Sequence, residues 1–133
     1  MLNSGFHKKA LDEYPKDGSS RILLLEWRES STGEVMTLDL RKKGEIYFIV
    51  CFYLYGTKRL DMDYSDGELI ENIIRNEKVA IMPQGNIGLD GCMCSILFTD
   101  GLNSAEYEWW VDPVEEWKPF GEIVEILFKY IQN

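Results

Sequence analysis

Apolar positions fall first into short alternating runs and later into three- and four-residue spacing, and this change of period marks out the elements. Residues 22–28 read as a strand and residues 30–33 as a turn. Residues 35–41 alternate, with Met36, Leu38 and Leu40 on one face and Thr37, Asp39 and Arg41 on the other, so the two runs predict a hairpin. A turn around Gly44 leads into residues 46–55, which are apolar on both faces and suit an interior strand covered on both sides. Residues 58–64 alternate again, and the short Gly56-Thr57 link makes that strand antiparallel to the one before it. A four-stranded meander is the expectation.

Ser65 then reads as a helix N-cap. Glu68 completes a capping box, and Tyr64 and Leu69 are spaced for a hydrophobic staple. Leu69, Ile70, Ile73 and Ile74 form the expected apolar stripe, which fades near Lys78. Pro83, Gly85, Asn86 and Gly88 predict a loop, residues 91–99 a strand, residues 100–104 a turn and residues 105–112 its hairpin partner. Pro119 occupies a first helical position. Beyond it Phe120, Ile123, Val124, Leu127, Tyr130 and Ile131 recur at helical spacing. The order ββββ-α-ββ-α predicts an α+β fold: an antiparallel sheet of about six strands with two helices packed on one face. A small closed barrel is the alternative if the first and last strands pair. Residues 1–20 show no sustained period and read as a flexible leader to a single α+β domain over residues 21–133.

The chain of 133 residues, 45% hydrophobic and 28% charged, is long enough to bury a core without a metal or disulfide staple. It carries no apolar run of the ~18 to 20 residues that span a membrane and no signal-peptide order at its start, which predicts a cytosolic protein. Charge sharpens this picture because it is uneven. Residues 1–60 hold ten basic and eight acidic side chains, residues 61–133 four basic and fifteen acidic, within a net of -9. Such a second half repels nucleic acid and anionic lipid and attracts basic partners, although an acidic surface also serves solubility alone.

Catalytic chemistry finds little support. The single histidine, His7, lies in the leader, so neither a serine nor Cys51, Cys92 or Cys94 has an evident base, and Cys92-x-Cys94 lacks the further ligands of a metal site. The glycines of residues 85–88 lead into a strand and lack the lysine of a phosphate-binding loop. Carboxylate pairs such as Asp61 with Asp63 and Glu106 with Glu108 arise readily in a chain with twenty-three acids. The expectation is a non-enzymatic protein without metal or cofactor.

Residues 106–117 carry the strongest signal. If residues 105–112 are extended, Tyr107, Trp109 and Val111 share a core face, while Trp110 stands among Glu106, Glu108 and Asp112 on the other. Glu115, Glu116 and Trp117 follow. Glu106, Glu108, Trp110, Asp112, Glu115, Glu116 and Trp117 are therefore the candidate partner-binding residues, since aromatic burial with charge pairing anchors a basic surface. The alternative is that Trp110 and Trp117 cover the core edge or pack under the last helix, and that the carboxylates discourage strand pairing.

Leu89-Asp90-Gly91, Trp109-Trp110, Pro113, Glu115-Glu116-Trp117 and Pro119 together resemble a pattern found in a group of small, little-characterised bacterial proteins. The resemblance covers about 45 residues at the C-terminal end and implies a shared fold element, with no catalytic residues to carry over. In type, the chain also resembles the immunity proteins of bacterial toxin systems, which are often small, cytosolic, acidic and single-domain. That likeness implies a protein that neutralises a basic toxin by covering its cleft. Two rival expectations stand beside it. One is a ligand-binding or enzymatic domain in which Asp61, Asp63 or Asp90 converges with the tryptophans, and the other is a homodimeric structural subunit joined by strand edges.

Overall fold

A computed structural model describes residues 17–29, 32–53, 56–82, 92–100, 102–110 and 115–131. Strands β1 (Ser20–Glu29), β2 (Val35–Lys43), β3 (Ile46–Tyr53) and β4 (Gly56–Met62) are followed by helix α1 (Tyr64–Asn76). Strands β5 (Cys92–Asp100) and β6 (Asn103–Trp110), a 3-10 turn (Glu115–Trp117) and helix α2 (Lys118–Ile131) complete the order. This is the expected α+β succession. The six strands form one sheet in the order β4-β3-β2-β1-β5-β6, and every neighbouring pair is antiparallel. The sheet is open, with β4 and β6 at its edges, so the barrel alternative does not hold. Tight turns make the meander, and Gly33 (φ 74°) and Gly44 (φ 61°) supply backbone that L residues rarely adopt. The chain leaves β4 at one edge and enters beside β1 through β5, which requires a crossing, and α1 lies within it.

Both helices pack on one face. There Leu23, Leu25, Leu38, Leu40 and Ile49 of the sheet meet Ile70 and Ile73 of α1 and Phe120, Ile123 and Leu127 of α2. The second face is buried over its centre as well, where Leu24, Phe48, Val50, Phe52 and Leu97 form a separate cluster. The two-sided run read from the sequence is thus β3. The Arg59 guanidinium lies 3.8 Å from the Phe48 ring centroid, so a basic side chain on edge strand β4 covers part of this cluster.

The polar residues of β2 are buried on the same face. Asp39 and Arg41 are 0% and 1% exposed. The Asp39 carboxylate accepts Arg21 Nε at 3.0 Å and Arg41 Nη1 at 3.1 Å. A register shift between Arg21 and Leu23 inserts Ile22 as an extra residue and re-aims Arg21 onto this face. Arg41 also donates to the Ser19 hydroxyl (2.8 Å) and carbonyl (3.0 Å). The domain therefore reaches back past residue 21, which corrects the expected boundary, while residues 1–16 of the expected leader lie outside the described residues.

Helix α1 starts differently from expectation. Its N-cap is Asp63 with no side-chain cap bond, and Ser65 lies inside the helix. A contact between helices replaces the capping box: the Tyr130 hydroxyl accepts the Asp63 N–H at 3.1 Å and donates to the Asp66 carboxylate, which also lies 3.0 Å from Lys129 Nζ. Leu69 is 47% exposed and outside the stripe. The reason is Gly67, which rests on the Tyr47 ring so closely that a Cβ there would come within 2.3 Å of it. Gly67, Ile70 and Ile73 consequently face inward. No helix among the described residues is long and apolar enough to cross a membrane.

Burial, and next the hydrogen bond to Asp66, push the Tyr130 hydroxyl up to about 12, while the Tyr130 bond and Lys129 hold Asp66 below its ordinary value. A tyrosine whose folded value exceeds its unfolded value of 10.0 contributes stability that is complete below pH 10 and is lost as pH rises toward 12. Tyr130→Phe is expected to lower stability at pH 7 by about 1 to 3 kcal/mol and to flatten part of the alkaline loss, as measured by urea unfolding at pH 7 and above pH 10.

Candidate functional site

Alternation along β6 divides its side chains between the two faces. Trp109 points to the helices and stacks on Phe120, with centroids 5.7 Å apart at 16°, and Tyr107 lies 4.5 Å from the same ring. Glu106, Glu108 and Trp110 accordingly project from the second face of an edge strand, with Glu106 and Trp110 half-buried and Glu108 exposed. The structure brings these three expected residues together.

Cross-strand register adds a residue that sequence reasoning missed. Glu108 pairs with Ser95 of β5, and Ser95 pairs with Glu26 of β1, which sets the three side chains in one row across the sheet. The Ser95 hydroxyl donates to Glu108 Oε2 at 3.0 Å. Glu26 is 3% exposed and accepts Arg28 Nη2 at 2.9 Å. Burial raises its carboxyl above the ordinary value; Arg28 opposes this, and the charges of Glu108 and Glu106 add to it. The signal available in the sequence was a lone acid inside an apolar strand, between Leu25 and Trp27.

The remaining candidates are placed elsewhere. Trp117 is in the core, not on the patch: it is 7% exposed, its ring lies 5.3 Å from Tyr107, and its Nε1 donates to the Ala80 carbonyl at 2.7 Å. It ties the segment after α1 to the start of α2. Glu115 and Glu116 are exposed on the same turn, which Trp117 anchors to the helix side of the sheet, away from the face of Glu106 and Glu108. Asp112 lies outside the described residues, as do Leu89-Asp90-Gly91 and Pro113 of the resemblance pattern.

The carboxylate and tryptophan pocket of the rival reading does not form from the described residues. Asp61 lies on β4, five strand spacings or roughly 24 Å from β6, and is 3.5 Å from Arg59. Asp63 is the cap of α1, and Asp90 lies outside the described residues. Cys51, Cys92 and Cys94 are buried, and burial pushes the Cys51 thiol up. Among the described residues no three metal-ligating side chains cluster. What the arrangement offers is an edge strand that presents two carboxylates and an indole, backed by a third carboxylate kept dry.

No protein-family model, no curated protein and no solved structure matches the chain.

Glu26 gives a pH test. Because its folded value is raised, its contribution to stability is complete below the unfolded value of 4.5 and is lost as pH rises through the folded value. Glu26→Gln, which cannot ionise, is expected to raise the urea midpoint at pH 7, with the gain vanishing toward pH 4. A midpoint lowered equally at both values would contradict this assignment.

Proposed function

We propose that this chain is a non-enzymatic binding protein of the cytosol that contacts a basic protein partner through the second face of β6 and neutralises it, in the manner of the immunity proteins of toxin systems. The observation that carries the reading is the grouping of Glu106, Glu108 and Trp110 on one face of an edge strand, beside the buried Glu26. Charge supports it. The described residues of β6, the 3-10 turn and α2 hold six carboxylates against Lys118 and Lys129, and Lys129 is already bound to Asp66. A carboxylate surface steers a basic partner into register, and an indole at its end supplies affinity. Toxins that act on nucleic acid have basic clefts of the kind this surface complements. Glu26 fits the same reading, because a buried charge that costs stability is a common mark of a functional surface.

The test is capture of a basic partner by the tagged protein, repeated with Glu106→Lys/Glu108→Lys and with Trp110→Ala. Charge reversal is expected to abolish retention, and Trp110→Ala to weaken it by about 2 kcal/mol while barely moving the melting temperature. Trp117→Ala serves as the contrast and is expected to destabilise the fold by about 3 to 5 kcal/mol. A partner held equally by wild type and the charge-reversed variant would remove the reading.

A further inference from the structure

A cleft of about 540 Å³ opens far from Trp110, at the end of the sheet where the β2–β3 and β5–β6 turns meet the start of β1. The second half of α1 forms one wall. Its size falls within the range of about 300 to 1,000 Å³ that small-molecule sites occupy. Ile22, Ile74 and Phe98 give it an apolar lining, and Ser20, Asn103 and Ser104 line it with polar groups. Ile22 is the extra residue of the β1 irregularity, so the same shift that aims Arg21 at Asp39 also places an apolar side chain here.

The charges of this cleft run against those of the whole chain. Glu71 is held by the Tyr47 hydroxyl, which donates to it at 3.1 Å. Lys42 Nζ and Arg75 Nη2 flank the same Glu71 oxygen at 3.6 and 3.5 Å, longer than a good charge-assisted hydrogen bond. Each of these cations has further donors, three in all for the ammonium and five for the guanidinium. Arg21 and Asp100 line the cleft as well, so three cations stand against two carboxylates and leave a single positive charge there, in a chain whose net charge is -9. One positive charge beside an apolar lining matches a monoanion with an apolar body. A dianion would leave an excess negative charge next to Glu71.

We propose that this cleft binds a small organic monocarboxylate, its carboxylate received by Lys42 and Arg75 and its apolar body lying against Ile22, Ile74 and Phe98. The site is separate from the β6 face and does not depend on the partner reading. It is tested on the full chain by following backbone amide resonances during titration with 4-phenylbutyrate, using 4-phenylbutylamine and 4-phenylbutanol as probes of the same shape and different charge. Expected are saturable shifts at Ile22, Ile74 and Phe98 with the carboxylate, markedly weaker ones with the alcohol and none with the amine. Arg75 is 72% exposed, so Arg75→Ala is expected to leave the fold intact and to weaken 4-phenylbutyrate by about tenfold, as is Lys42→Ala. The proposal is overturned if no probe gives a saturable shift at these residues, if amine or alcohol binds as tightly as the carboxylate, or if Arg75→Ala leaves the affinity unchanged.

Discussion

A carboxylate with no exposed surface, Asp39, sits in the middle of the sheet between the guanidiniums of Arg21 and Arg41. Taking ions out of water costs several kcal/mol each, and only close, well-aligned partners offset it. The pairing of β1 with β2 has to satisfy that demand. Arg21 stands opposite Arg41, like charge facing like charge, and Leu24 stands opposite Asp39, so the carboxylate is the group that lets the two cations share one place. Slipping the register by one residue would carry Asp39 and Arg41 together to the apolar helix side and separate both from Arg21. The irregularity at Ile22 and the bonds from Arg41 to Ser19 follow from the same need.

From this centre the second face divides into two regions of different character. Toward β3 and β4 it is apolar and charge-paired, with Phe48, Val50 and Phe52 buried and Arg59 lying over Phe48. Toward β5 and β6 it becomes acidic, passing from Glu26 through Ser95 to Glu108. The helices on the first face back the acidic region: Phe120 packs under Trp109 and Tyr107, and Trp117 holds the segment after α1 against the same group. Of the edge carboxylates on this backing, Glu108 is tied to Ser95.

The six strands, their antiparallel order and the two helices were legible because periods of two and of 3.6 are local properties of the chain. What was not legible depended on distant contacts. Ser65 and Glu68 have the chemistry of a capping box, yet Tyr130, more than sixty residues away, binds the start of α1, and the ring of Tyr47 beneath Gly67 sets which side of the helix faces in. Alternation in β2 placed Asp39 and Arg41 on the correct side of the strand but carried no information about whether that side is covered. The candidate patch was partly legible for the same reason. Strand parity sorted Glu106, Glu108 and Trp110 from Trp109, whereas Trp117 follows a turn, where parity no longer applies, and its indole found Ala80. Glu26 entered the patch only through the β1–β5 register, which no local pattern encodes.

Equilibrium urea unfolding of Asp39→Ala tests the account most directly. Removing one partner of a buried ionic group leaves the others uncompensated, and the loss is expected to be about 3 to 5 kcal/mol, a large share of the roughly 5 to 15 kcal/mol that holds a domain of this size. Expected is either an unfolding free energy lowered by that amount at unchanged slope or loss of the cooperative transition altogether. An unfolding free energy within about 0.5 kcal/mol of wild type, the range of ordinary surface substitutions, would contradict the central place given to Asp39.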